Sequence, residues 1–270
     1  MKKIFSWGYI AVILAFIYLP ILVLVVYSFT GSTIIGKWTG FSFELYGKLF
    51  TGERIRQTII NTLVLAILAA SFSTVLGTLG AIGIFYNKKW LGKFVKTANH
   101  IPVINAEIVT AISLALVFAF VGIGRSYFAL LMGHMVLCTP FVILSVIPKL
   151  KQMDGSLYEA ALDLGASPFQ ALIKVVIPEI LPGIISGFLL SITLSLDDYM
   201  ISAYTKPSTF NTISTYVYEA VKNQSKSDLP ALRALSAIIF FIMIIAVIIR
   251  NISANKNRQN KLIKEIHYEN

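Results

Sequence analysis

The sequence predicts an all-α integral membrane protein with about six transmembrane helices. Hydrophobic residues make up 56% of the 270 residues, charged residues make up only 13%, and the mean hydropathy is +0.76. Soluble domains carry about 25% charged residues, so too few charges remain here to cover a surface that faces water. The Lys and Arg residues also stand in short runs between apolar segments, which is the pattern of membrane topology signals.

Six apolar stretches are long enough to cross the hydrocarbon core, which takes about 20 helical residues. The first follows Lys2 and Lys3 as a signal peptide would. Its apolar run is too long for one, however, and no small-residue cleavage site follows Ser28, so we predict an uncleaved anchor. The predicted spans, in order, are 8–29, 58–86, 101–121, 127–147, 180–204 and 231–249.

The distribution of positive charge orients these spans. Fourteen of the 23 Lys and Arg residues fall in the N-terminus, the 87–100 loop, the 148–179 loop and the tail from Arg250. Loops rich in Lys and Arg stay in the cytoplasm, so we expect both termini there. The net charge of +10 is explained by this topology, and no basic folded face for nucleic acid is expected.

The sequence offers no metal site. Cys138 is the single cysteine, which excludes a disulfide or a thiolate cluster within the chain. His134 stands four residues before it with no carboxylate nearby in the sequence, so we predict that His134 packs between helices rather than binding a metal. No cofactor is expected on this chain. Small residues recur in the second span and suit close helix packing, within the chain or with another subunit: Ser73, Gly77, Gly80 and Gly83.

The 148–179 loop is patterned like a helix–turn–helix. Ser156 and Glu159 have capping-box spacing and predict a short helix over 157–164, which Gly165 can end in a left-handed conformation. Ser167 and Pro168 suit the start of a second helix. We expect Pro178 to stop that helix before the fifth span.

The same loop resembles a signature of ABC importer permeases. That pattern is E-A-A, three residues, G, nine residues and I-x-L-P, and it corresponds here to Glu159, Ala160, Ala161, Gly165 and the stretch from Val175 to Pro178. Val and Ile replace the usual Ile and Leu. The resemblance is strongest to the spermidine/putrescine (PotC-type) permeases. It also covers Tyr18–Pro20, the stretch from Glu107 to Leu114, and the stretch from Ser191 to Asp198, where Glu107 replaces the more usual Asp.

The resemblance implies a type I ABC importer permease in the bacterial plasma (inner) membrane. The whole chain would form one permease domain, with its core at about 57–250, a coupling loop at 148–179 and a cytoplasmic tail at 251–270. The loop would dock on the ATPase through Glu159, Ala160, Ala161, Gly165 and Pro178. The implied partners are a homologous permease, two ATP-binding subunits that hold ATP and Mg, and an extracytoplasmic solute-binding protein. The chain itself would be a transport subunit and not an enzyme.

Three acids lie within the predicted spans, where a charge costs several kcal/mol unless it lines a cavity or is paired. They are Glu107 in the inner half of the third span, and Asp197 and Asp198 in the outer half of the fifth. Hydroxyls extend the line of Asp198 along one helical face, at Ser191, Ser195 and Ser202. We predict that these six residues line the path of a small cationic solute.

Other interpretations stay open at this stage. The acids could instead pair with cations of a sister subunit. The solute could be thiamine, ferric iron or a sulfonate, carried by a permease of the same architecture. A self-sufficient ion-coupled carrier is a further alternative, although the chain shows no inverted repeat of the kind found in many such carriers.

Overall fold

The computed structural model describes residues 2–32, 37–87, 90–223, 230–241 and 244, and they are mostly helical. The chain divides into two compact units, Met1–Arg56 with Glu219–Asn270, and Gln57–Tyr218. Within the described ranges the β pairing is limited to an isolated bridge between Thr30 and Phe41. The helices are α1 (Lys2–Ser28), α2 (Glu44–Thr51), α3 (Glu53–Tyr86), α4 (Trp90–Ile104), α5 (Glu107–Phe120), α6 (Tyr127–Gln152), α7 (Ser156–Asp163), α8 (Pro168–Asp197), α9 (Met200–Thr205), α10 (Ile213–Lys222) and α11 (Pro230–Phe241).

Among the residues that the structure describes, four helices are long and apolar enough to cross a membrane: α1, α3, α6 and α8. They confirm the predicted spans at 8–29, 58–86 and 127–147, and the first part of 180–204. On α1, large apolar side chains stand exposed, with Trp7 at 73% and Phe16 at 82% of their full accessibility. Such a surface is unfavourable in water and favourable in lipid.

The third predicted span is not one straight helix. The second half of α4, Thr97–Ile104, and α5 meet at an angle of 112° and count as a fifth span only if taken together. Between them Ala106 is extended (φ −63°, ψ 134°), and the amide of Asn105 bonds forward to the hydroxyl of Thr110 (3.3 Å). This bond joins two side chains, while the backbone N–H of Asn105 still donates to the Ile101 carbonyl (3.0 Å) at the end of α4; Asn is also a poor helix former. The prediction of a continuous helix over 101–121 is therefore wrong.

The fifth predicted span is wrong at both ends. Helix α8 begins at Pro168 and runs through Pro178, which does not stop it. A π-turn over Leu172–Val176 precedes this proline, and the N–H of Ile177 bonds to the carbonyl of Leu172. The wider turn accommodates a ring that would clash with the carbonyl of a regular α-turn. At the other end α8 stops at Asp197, and the chain restarts as α9.

The sixth predicted span is partly described. Its first half forms α11, which is a shorter apolar helix. The rest of 231–249, apart from residues 241 and 244, and the whole predicted tail at 251–270 lie outside the described residues.

The core of the second unit lies where α3, α6 and α8 meet. Buried residues from the three helices include Ala81, Val142, Val146 and Ile180. Gly77 permits the close approach, because a Cβ there would stand 2.6 Å from the Cβ of Val142. The small residues of the second span, apart from Gly83, thus pack within the chain: Ser73 on the Met135 carbonyl (3.5 Å), Gly77 on Val142 and Gly80 on Ile143. Helix α6 is held firmly by this packing.

The helix–turn–helix made by α7 and the start of α8 forms as predicted, except at its first cap and at Pro178, where the second helix continues. Ser156 is already helical and makes no side-chain cap; its N–H donates to the Asp154 carboxylate (3.0 Å). This hydrogen bond holds the pKa of Asp154 below its ordinary value. The capping box predicted for Ser156 and Glu159 is therefore wrong, because an acid two residues earlier takes the same N–H. Ser167 and Gln170 do form a reciprocal capping box at the start of α8.

Candidate functional site

A break in a long membrane helix forms the centre of the candidate site. After α8 ends, Asp198 adopts an extended conformation (φ −61°, ψ 126°). Its carboxylate accepts hydrogen bonds from the N–H groups of Ile201 (3.1 Å) and Ser202 (2.8 Å). Asp198 is 3% exposed and caps the short helix that follows. The sequence pattern had placed it on a continuous helical face, which the break rules out.

His134 on α6 joins the two sides of this break. Its Nδ1 lies 2.8 Å from the hydroxyl of Ser195 on α8, and its Nε2 lies 3.0 Å from the hydroxyl of Ser202 on α9. The same Nε2 is 3.4 Å from the Asp198 carboxylate. The ring is fully buried, as its predicted packing role requires. Its carboxylate neighbour was missed, because Asp198 is distant in sequence.

Two further hydrogen bonds hold the chain around the break. The hydroxyl of Ser214 on α10 donates to the backbone carbonyl of Asp198. The hydroxyl of Thr62 on α3 accepts from the N–H of Ile213 (2.8 Å). Helices α6 and α10 therefore bond directly to residues between Ser195 and Ser202, and α3 holds the start of α10.

The predicted stripe of hydroxyls is internal in this conformation. Ser191, Ser195 and Ser202 are all buried. The hydroxyl of Ser191 has no hydrogen-bond partner among the described residues. Its carbonyl lies 3.5 Å from the Cys138 thiol. The predicted stripe has four residues, and three of them, Ser195, Asp198 and Ser202, lie within 3.4 Å of the His134 ring.

The other two acids are exposed. Asp197 ends α8 and Glu107 begins α5, each at one of the two helix breaks. Helix α5 packs against α9. This packing places α5, which Glu107 begins, against the helix that follows the break after Asp197.

One of two paired aromatic rings directly follows the aspartates in the chain. Tyr199 follows Asp198 directly, and its ring centroid lies 4.7 Å from that of Tyr218 on α10. Tyr218 is 49% exposed. Exposed aromatic faces attract cations and cover methylene groups.

A second candidate surface is the turn between α7 and α8. Gly165 has φ +83°, its N–H donates to the Leu162 carbonyl (2.9 Å), and the N–H of Ala166 donates to the Ala161 carbonyl (3.0 Å). These bonds define a Schellman cap and confirm the predicted conformation of Gly165. Apolar side chains project around the turn, with Leu164 at 89% and Phe169 at 69% exposure. Such exposure is typical of a docking surface.

In the part of the chain that the structure describes, no group of three or more His, Cys, Asp and Glu side chains could hold a metal ion. The helix breaks carry exposed carboxylates, buried hydroxyls, aromatic rings and the buried imidazole of His134.

Known proteins resemble this chain over most of its length. Residues 73–258 match the family described as "Binding-protein-dependent transport system inner membrane component". The spermidine/putrescine transport system permease protein PotC of Escherichia coli (strain K12) is 33% identical over 245 residues, which cover 90% of this chain and 92% of that protein. The putrescine transport system permease protein PotI of the same organism is 32% identical over 241 residues, covering 85% of each chain.

Solved structures show the same fold. A subunit of a bacterial ABC transporter that imports the acidic polysaccharide alginate matches with a TM-score of 0.66 and 19% identity, over 90% of this chain and 93% of that one. A subunit of the MetNI methionine ABC transporter in an inward-facing conformation matches with a TM-score of 0.57 and 20% identity, over 72% of this chain and 94% of that one.

Proposed function

The chain belongs to the family of binding-protein-dependent transport system inner membrane components, and from this premise we propose that it conducts polyamines as one permease subunit of an ATP-driven importer. Permeases of this kind work with separate ATPase subunits, so ATP and Mg would be held by the partner. This chain contributes a path and a coupling surface.

The observation that carries the solute class is the pair of exposed carboxylates, Glu107 and Asp197, at breaks in apolar helices. A carboxylate facing lipid at the membrane centre costs about 3 kcal/mol on insertion scales. A water-filled path or a partner's cation removes this cost. A polyamine is a chain of ammonium groups and methylenes. Carboxylates suit the ammonium groups, and the paired rings of Tyr199, which follows Asp198 in the chain, and Tyr218 suit both parts.

The relatives support the same solute class, since they are described as spermidine and putrescine permeases. Ser191, Ser195, Ser202 and Asp198 were also predicted to line the path. Because they are buried here, direct contact with the solute would require another conformation of α8 and α9. We therefore assign first contact to Glu107 and Asp197.

The turn between α7 and α8 is the proposed coupling surface. Its pattern of Glu159, Ala160, Ala161 and Gly165 with Pro178 resembles the loop that docks on the ATPase in this family. Glu159 and Ala160 are exposed, and Leu164 and Phe169 supply apolar area. Since α8 is continuous from Pro168 to Asp197, movement of this surface would be transmitted directly to the proposed solute site.

The orientation follows from the same proposal. Fourteen of 23 Lys and Arg residues lie on the side that carries the α7–α8 turn and the predicted tail, which supports both termini in the cytoplasm. The complete chain would act as one permease domain, with its core at about 57–250. It would pair with a homologous permease, two ATPase subunits and an external solute-binding protein, and a binding protein is present in a complex of the alginate transporter.

Solute-stimulated ATP hydrolysis by the assembled complex tests this function. We expect binding protein loaded with spermidine or putrescine to stimulate hydrolysis well above the solute-free rate. Thiamine, ferric iron and sulfonates should give no stimulation, because none offers several ammonium groups spaced by methylenes. Stimulation by one of those solutes alone would agree with the role as an importer permease but would refute the polyamine assignment.

A further inference from the structure

The two adjacent aspartates at the helix break have opposite environments. Asp198 is buried and satisfied by two backbone N–H groups, while its neighbour Asp197 is exposed. The direction in which Asp197 projects therefore depends on how the backbone is fixed at Asp198. The N–H of Asp198 makes the last helical bond of α8, to the Leu194 carbonyl (3.1 Å), and the bonds of α9 begin with that from Ala203 to the Tyr199 carbonyl (2.8 Å). Between them the Asp198 carboxylate takes the N–H groups of Ile201 and Ser202, so side chains help to hold this stretch.

His134 is the residue placed to do this. One ring nitrogen bonds a hydroxyl before the break and the other bonds a hydroxyl after it, at 2.8 and 3.0 Å. The ring comes from α6, whose inner face is buried along most of its length, from Ala129 to Leu150. A rigid ring on a rigid helix thus sets the distance between Ser195 and Ser202.

Resting on the proposed function, we infer that His134 is a positioning residue, which fixes the α8–α9 break through Ser195, Ser202 and Asp198 so that Asp197 faces the solute path. His134 itself does not touch the solute, because it is fully buried. A neutral imidazole can donate from Nε2 toward Ser202 and Asp198 while Nδ1 accepts from the Ser195 hydroxyl. No apolar side chain can make both bonds.

The two possible roles of His134, support of folding and positioning of Asp197, lead to different expected results. If His134 only supports folding, its replacement and the neutralisation of Asp197 lower transport independently, and their fold-effects multiply. If His134 acts through Asp197, a misdirected carboxylate and an absent one are the same defect. The two changes then combine to less than the product.

The test is a double-mutant cycle on uptake by the complete importer in proteoliposomes. His134→Leu, Asp197→Asn and the double variant are compared with the unmodified chain, as labelled spermidine uptake per assembled complex. We expect each single change to lower uptake strongly, and the double variant to be at least about threefold more active than the product of the single effects requires. Simple multiplication of the two effects would overturn the inference.

Two further variants control the cycle. Cys138→Ala changes a buried side chain one turn along the same face of α6, where the thiol donates to the Ser191 carbonyl before the break (3.5 Å), and its effect should multiply with that of Asp197→Asn. If Cys138→Ala combined with Asp197→Asn also retained more uptake than the product of the single effects, the coupling would be unspecific and the inference would be overturned. His134→Gln keeps a donor and an acceptor and should restore part of the uptake; it replaces His134→Leu in the cycle if that variant fails to assemble.

The cycle distinguishes failure of the solute-path assignment from failure of the positioning role. Normal uptake by Asp197→Asn alone would refute the solute-path assignment under the proposed function, and the positioning role with it. Impaired uptake by Asp197→Asn with simple multiplication would leave that assignment intact and refute only the positioning role.

Discussion

Replacing Asp197 by Asn or Glu107 by Gln is expected to lower polyamine uptake by about ten- to a hundredfold in each case. Each change removes one carboxylate from an exposed position at a helix break. A hydrogen bond to a charged group contributes roughly 1.5–3 kcal/mol. If the carboxylate makes such a bond to the solute only during passage, its loss lowers the transport rate by about ten- to a hundredfold. The measurement is the initial rate of labelled spermidine and putrescine uptake at equal amounts of assembled complex.

Glu44→Gln is the matched control. Glu44 is also an exposed acid, but it lies on α2 and pairs with Lys48 at 2.8 Å, so its neutralisation should leave uptake within about twofold. Uptake at the normal rate by both Asp197→Asn and Glu107→Gln would mean that the acids are structural. Asp198→Asn is a poorer probe, because Asp198 caps α9 and its loss disturbs packing whatever the solute.

The second large effect is expected at Gly165. Gly165→Pro fixes φ near −65° where the turn has +83°, and it removes the N–H that bonds the Leu162 carbonyl. Disruption of the turn should cost about 3 kcal/mol or more, enough to weaken ATPase docking about a hundredfold. We expect the variant to insert in the membrane normally and to lose co-purification with the ATPase.

Gly155→Ala provides the comparison, since Gly155 flanks the other end of α7 with an ordinary φ of −61° and open space around its Cβ position. It should retain the ATPase fully. Glu159→Lys should weaken docking less than Gly165→Pro, because it opposes the α7 dipole without breaking the turn. A Gly165→Pro complex that keeps the ATPase would refute the coupling surface and, since the ATPase is cytoplasmic, remove support for the orientation.

The sequence alone predicted the features that depend on composition and local chemistry. Long apolar runs identified α1, α3 and α6, because length and hydropathy decide whether a helix can span a bilayer. Gly165 and Ser167 were predicted correctly because a left-handed turn and an N-cap each favour few residue types.

The two helix breaks could not be predicted, because hydropathy is insensitive to a bend between apolar segments. The chain turns after Asn105 and again at Asp198, in stretches that are apolar on both sides. Asp198 is stabilised in its extended conformation by contacts with His134 and Ser214, which only tertiary folding brings near. The prediction of the first cap was wrong for a local reason, since the carboxylate of Asp154 accepts the N–H of Ser156 that Glu159 was predicted to accept.

The measurement that tests the central claim most directly is uptake into sealed proteoliposomes. The complete importer should accumulate labelled spermidine when ATP reaches the ATPase side and binding protein is on the other side. No uptake is predicted without ATP, or with this chain reconstituted alone under a proton or sodium gradient. Gradient-driven polyamine uptake by this chain alone would identify a secondary carrier and contradict the account.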